Sequence, residues 1–188
     1  MQQFWVFGYG SLMWKPGFDY AAREPALVKG LHRSLCVKSF VHRGTPEKPG
    51  LVLGLDRGGS CHGLAYRIDA DKWDHTLAYL RAREQVTMVY LERSRKVRLL
   101  GSGDSVVAVT YVVDRSHRQY AGVLNLEELV DLVGQGEGVS GHCLDYVLNT
   151  VAHLRDMDIH DARLELLAKI IEDQARASSP SDGSLKPE

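Results

Sequence analysis

The residue pattern predicts an α+β fold, with a small, mostly antiparallel, barrel-like sheet flanked by helices. Short β-rich segments fill the first two-thirds of the chain, whereas helical spacing dominates the last third. The breaks between strands are short clusters of Gly, Pro, Asp and Ser at 44–50, 57–60 and 101–104, which favours antiparallel neighbours. Six or so such strands leave exposed edges unless the sheet curls, so a closed or nearly closed barrel is expected.

The elements follow in order. Residues 4–8, 27–40, 51–55, 61–68, 88–100 and 105–113 are rich in β-branched and aromatic residues and read as strands. Residues 71–83, 125–134, 142–157 and 159–174 repeat apolar side chains at helical intervals. No internal repeat is visible. The tail at 175–188, ARASSPSDGSLKPE, is polar and rich in Pro, Gly and Ser. It is expected to be a disordered end, leaving 1–174 as one domain.

The 188 residues, 44% hydrophobic and 25% charged, suit one domain with a sizeable core. A net charge of −1 gives no footprint for nucleic acid, and Arg93, Arg95, Lys96 and Arg98 are placed as on an exposed strand face. No apolar run approaches a membrane span, and the N-terminus lacks the basic start and small-residue cleavage site of a secretory signal. A cytoplasmic protein is expected. Cys36, Cys61 and Cys143 are odd in number and widely separated, which reads as three reduced, mostly buried thiols. Nothing in the sequence specifies an oligomeric state.

The run VFGYGSLMW at 6–14 reads as a strand entering a tight loop. Glycines at 8 and 10 permit unusual backbone angles and remove side chains that would keep a ligand from the main-chain N–H groups. Such a loop can grip a carboxylate or phosphate, although a plain Gly-rich strand end fits the fragment equally. Met13 stands where the dinucleotide fingerprint needs its third glycine, and no Gly-Lys-Ser/Thr is present. Ser11 is not in a G-x-S-x-G elbow, so the loop reads as a binding loop, not a nucleophile turn.

In the first helix, steps of four, three and four place Trp73, Leu77, Leu80 and Glu84 on one stripe, with Ala78 beside it. A carboxylate continuing a core-facing stripe is desolvated, which raises its pKa and suits it to accept and return a proton. The alternative is a helix already ended by residue 84, with Glu84 solvated or paired with Arg81 or Arg83. His142 and Cys143 are adjacent on a helix and point about 100 degrees apart, so they form no dyad. The other histidines lack metal-site spacing and no metal is expected. Arg43, where a strand meets a turn, is placed to fix an anionic substrate or to be an ordinary exposed arginine.

Taken together, these motifs resemble the ChaC family of γ-glutamylcyclotransferases over residues 4–171. The likeness is carried, in order, by FGYGSLMW at 7–14, HRGTPEKPG at 42–50, LVLGLDRGGSCHGLAYRI at 51–68, the Arg83-Glu84 pair, VVDRSHRQYAG at 112–122 and SGHCLDYVLNT at 140–150. The resemblance implies the γ-glutamylcyclotransferase-like fold and conversion of a small-molecule substrate, usually glutathione, to 5-oxoproline and cysteinylglycine, with no cofactor. Glu84 matches the family's catalytic glutamate. Tyr9, Gly10, Ser11 and Leu12 match its substrate loop, and Tyr146 a tyrosine at its pocket; Ser39 is a further candidate contact. One departure stands out. Where many members carry two glycines after the Arg-Glu pair, this chain has Thr87 and Met88, whose side chains are expected to narrow the leaving-group pocket. Turnover of another γ-glutamyl amide, or metabolite binding without turnover, are the alternative readings.

Overall fold

Two strands longer than the sequence suggests frame the structure, a computed structural model that describes residues 3–178. Strand β2 (Ala22–Ser39) and strand β3 (Gly50–Ile68) pair antiparallel from Ala22 against Arg67 to Ser39 against Gly50. The glycine cluster at 57–60 was expected to separate two strands; instead β3 runs through it. Gly58 and Gly59 adopt φ of 102° and 66° opposite a register shift between Lys29 and Leu31. The glycines therefore bend the hairpin at a bulge without ending it. Merging the two expected strands also explains why the barrel holds five strands where the sequence suggested about six.

Strand β1 (Phe4–Gly8) pairs antiparallel with the far end of β3. Strand β4 (Tyr90–Leu99) pairs with β2 and with β5 (Ser105–Val113), and β1 meets β5 in parallel at Val6 and Val109. The order β1-β3-β2-β4-β5 closes a barrel. Val6, Val28, Leu55, Ala65, Val97 and Ala108, drawn from all five strands, are fully buried. Each large aliphatic among them contributes about 1.5–3 kcal/mol of burial.

Helix α1 (Trp73–Glu84) follows a short 3-10 turn at Ala70–Lys72, and Trp73 stacks on Phe4 with ring centroids 4.8 Å apart. Helix α2 (Leu126–Gln135) opens on a capping box in which Asn125 Oδ1 accepts from the Glu128 amide and Glu128 Oε2 from the Asn125 amide. A two-residue ribbon, β6 (Glu137–Gly138) and β7 (Gly141–His142), leads into α3 (Cys143–Asp156). Helix α4 (Ala162–Ser178) begins later than expected because Asp161 caps it, accepting at Oδ1 from the Leu164 amide. It also runs through Ser178, into the segment expected to be tail; residues 179–188 of that tail lie outside the described residues. All three cysteines are buried and free, as the sequence suggested.

Two devices connect this frame to the site. Strand β1 covers β3 only from Leu64 to Ile68, so the other end of β3 has main-chain groups facing no strand. Side chains satisfy them. Cys143 Sγ accepts from the Leu51 amide and donates to the Leu51 carbonyl; Tyr146 Oη accepts from the Leu53 amide, and Tyr90 donates to the Leu53 carbonyl at 2.6 Å. The second device is buried Asp56, which accepts from Arg115 Nε at 2.6 Å, the Arg57 amide at 2.7 Å and the Tyr120 hydroxyl at 2.8 Å. It pins the loop after β5 against β2, where Gln119 exchanges hydrogen bonds with the Lys38 main chain.

Burial alone would raise the Asp56 pKa, but the bonds from Arg115, the Arg57 amide and Tyr120 outweigh it and hold the carboxyl below the ordinary aspartate value. Its stabilisation is therefore present above the unfolded aspartate pKa and lost as pH falls through the depressed folded value. Asp56→Asn is expected to lower unfolding free energy by about 3 kcal/mol at neutral pH. Urea melts in an acid series should show the gap to the unsubstituted protein closing as pH falls through that range.

Candidate active site

The loop that leaves β1 owes its shape to donors that take its carbonyls. Tyr9 and Gly10 lead into a 3-10 turn at Ser11–Met13. Arg33 Nε donates to the Tyr9 carbonyl at 2.6 Å, and the Tyr66 hydroxyl sits 2.9 Å from both the Leu12 and Met13 carbonyls. Arg83 donates to the Lys15 carbonyl at 2.7 Å and to Ser11 Oγ at 2.9 Å. The Ser11 and Leu12 amides open the turn and have no acceptor within it. Neither Gly8 nor Gly10 has a positive φ, but Gly10, at φ −137° and ψ −132°, lies outside the helical and extended regions, as expected of a glycine there. At position 8 the missing Cβ also matters, since it would lie 3.1 Å from Leu12 Cβ, whereas at position 10 it would meet Leu53 Cδ1 at an ordinary 3.4 Å.

This loop borders a cavity of about 290 Å³. Tyr9, Gly10, Ser11, Leu12, Arg43, Glu84 and Tyr146, all the candidates expected from sequence except Ser39, line it together. Tyr90 and Tyr111 join the wall with His42, Val52, Leu53 and Ser140; the two tyrosines were missed because they look like ordinary strand aromatics. Burial pushes the phenols of Tyr9 and Tyr90 well up and that of Tyr146 up to about 12, so all three remain protonated at neutral pH. Ser39 lies outside this cavity and accepts from the Arg43 amide at 2.9 Å.

Glu84 is the last residue of α1, with a side chain 18% exposed and Oε1 3.3 Å from Arg83 Nε. Both sequence alternatives therefore hold in part, since the helix ends here beside an arginine and yet the carboxylate is half-buried. Burial raises its pKa, and Arg83 only partly offsets this. Arg81 turns away to make two 2.8 Å bonds to Glu92, whose carboxyl is thereby held below the ordinary glutamate value. Thr76 and Leu80 carry the burial of α1, Trp73 and Leu77 are half-buried, and Ala78 is exposed, so the buried stripe is narrower than expected.

Arg43 Nη1 donates to the Ser140 carbonyl at 2.6 Å and the His142 carbonyl at 3.2 Å, and its guanidinium carbon lies 5.4 Å from the Tyr146 ring centroid. It is a built feature of the cavity wall. Cys143 is held by the Leu51 main chain with its thiol pKa raised by burial, which leaves no reactive pairing with exposed His142. Thr87 and Val86 line a neighbouring cavity, whereas Met88 is 56% exposed and lines neither, so only Thr87 narrows the space beyond Glu84. Met88 does have φ of 60°, the left-handed region that glycine favours. Among the described residues no group of three or more His, Cys, Asp or Glu converges as a metal site, and no helix is long and apolar enough to cross a membrane.

The closed five-strand barrel with its flanking helices is the γ-glutamylcyclotransferase-like fold, and Glu84 and the 9–12 loop line one cavity on it. The crystal structure of the glutathione-specific γ-glutamyl cyclotransferase from yeast superposes with a TM-score of 0.80 at 23% identity, covering 92% of this chain and 97% of that one. The chain belongs to the ChaC-like protein family, whose model matches residues 4–174. It is 30% identical to the glutathione-specific γ-glutamylcyclotransferase of Escherichia coli K12 over 97% of this chain and 78% of that protein. It is 33% identical to γ-glutamylcyclotransferase 2-3 of Arabidopsis thaliana over 87% and 86%.

Two outcomes follow for the end of α1. Arg83→Met removes the charge that offsets burial of Glu84, so the acid limb of the kcat/KM profile should move to higher pH, with KM raised because Ser11 is released. Met88→Gly relieves the left-handed backbone and should raise stability by about 1 kcal/mol in urea melts.

Proposed function

We propose that the chain is a cytoplasmic γ-glutamylcyclotransferase that converts glutathione to 5-oxoproline and cysteinylglycine. The observation that carries this reading is that Glu84, largely withdrawn from solvent, lines the same cavity as the loop whose Ser11 and Leu12 amides open a 3-10 turn. The names of the E. coli and other glutathione-specific relatives support glutathione as the substrate.

The glutamyl α-carboxylate lies against the Ser11 and Leu12 amides. Because Arg83 donates to Ser11 Oγ, the serine proton is left to donate to that carboxylate. Arg43 adds positive charge on the opposite wall, and Tyr146, fixed by the Leu53 amide, orients the α-amine. Ionised Glu84 takes a proton from the α-ammonium, and the freed amine attacks its own γ-carbonyl. As the lactam closes, the bond to the cysteinyl nitrogen breaks; Glu84 returns its proton to that nitrogen and relays to it the second proton shed by the ring nitrogen, leaving a neutral lactam and the cysteinylglycine ammonium. No water is consumed. The attack is intramolecular, and holding the chain in near-attack geometry draws on effective molarities of about 10⁵–10⁸ M.

Glu84→Gln should preserve fold and substrate binding while lowering kcat by at least about 100-fold. Incubation with reduced glutathione, followed by mass spectrometry of both products, checks this; near-normal turnover by the folded variant overturns the assignment. The pH dependence adds a second check. A carboxylate with a raised pKa must be ionised to act, so kcat/KM should fall as pH drops through a range above that of ordinary glutamate.

A further inference from the structure

A second cavity of about 330 Å³ abuts the first and shares His42, Val52, Glu84 and Tyr90 with it. Its remaining wall is built from the end of β2, the segment after α1 and the loop after β5, and none of the family motifs assigns it a role. If the first cavity holds the glutamyl group, the group that protonates the leaving nitrogen must stand between the glutamyl and leaving-group sides. Glu84 stands at that junction. A dipeptide leaving past it spans at most about 7 Å when extended and ends in a carboxylate.

The second cavity has the chemistry for such a group. Val86, Val89 and Phe40 supply an apolar wall for a cysteinyl side chain, and Lys38 and Arg118 supply positive charge. The cavity's other arginine, Arg83, is already committed to Ser11 and Glu84. Among the described residues neither Lys38 nor Arg118 forms an ion pair. Arg118 is nonetheless held, with its guanidinium carbon 6.0 Å from the Phe40 ring centroid. Its neighbour Gln119 is bonded twice to Lys38, donating from Nε2 at 2.9 Å and accepting at its carbonyl at 2.8 Å. The Gln119 bonds hold the backbone beside Arg118, and its exposed guanidinium keeps its donors open to take a carboxylate through two parallel bonds.

Resting on the glutamyl reading of the first cavity, we propose that the second cavity binds the leaving dipeptide and that Arg118, backed by Lys38, grips its terminal carboxylate. The free carboxylate at the glycine end of glutathione is thereby a specificity determinant, separate from the glutamyl contacts.

The test compares glutathione with its glycine-carboxylate ethyl ester on the unsubstituted full-length chain, Arg118→Gln and Arg118→Lys, with circular dichroism melts confirming the fold of each. The unsubstituted chain should favour glutathione by about tenfold in kcat/KM, mainly through KM. Arg118→Gln should reduce that preference below about twofold, and Arg118→Lys should restore part of it. An Arg118→Gln variant that keeps the full preference, or that loses activity equally on both substrates, overturns the subsite. Failure of the unsubstituted chain to turn over any γ-glutamyl amide overturns the underlying function as well, so the two failures are distinguishable.

Discussion

The site depends on the disposal of a few loop carbonyls. Arg33, almost wholly buried, reaches from β2 to the Tyr9 carbonyl and the His62 carbonyl, both at 2.6 Å, and lies 3.5 Å from Asp161 at the start of α4. With Tyr66 on Leu12 and Met13, and Arg83 on Lys15 and Pro16, the acceptors of the loop are taken from within the protein. What remains for a ligand is a set of donors. A loop with its carbonyls turned inward would otherwise pay for buried unpaired acceptors. Here the same bonds stitch the loop to β2, β3 and α1, so one set of donors both anchors the loop and turns its carbonyls away from the cavity.

Three carboxylates with different surroundings divide the work. Asp56 is saturated with donors and acts as a permanent charge that anchors the loop after β5. Glu92 is locked by Arg81 and accepts from Tyr111, so it too stays ionised. Glu84 has burial with one imperfect partner, and among the three it alone has a pKa displaced upward. Groups of one kind are pushed apart by their environment, and the one displaced toward neutrality is the one that can exchange protons.

Much of this was legible in the chain. Helices α2 and α3 fell within a residue or two of their expected bounds, because the periodicity of each coincides with a clear start, Asn125 in one and the extended His142 in the other. The seven candidate residues were picked out by ordered motifs, and the structure places all seven on the wall of one cavity. Other features have no local signature. A Gly-Gly pair reads as a turn unless the partner strand supplies a bulge opposite it, and the ribbon of β6 and β7 is too short to show a period. Arg33 looks like any strand arginine until the loop folds over it, and Arg118 gains meaning only from Phe40 and Lys38, which lie some 80 residues earlier.

Intramolecular attack is the central claim, and the oxygen balance tests it most directly. Glutathione turned over in ¹⁸O-enriched water should give 5-oxoproline and cysteinylglycine in equal amounts with no ¹⁸O in either, since the γ-carbonyl is captured by the substrate's own amine. Release of glutamate carrying ¹⁸O in its γ-carboxylate would mean that water is the nucleophile, and would contradict the account.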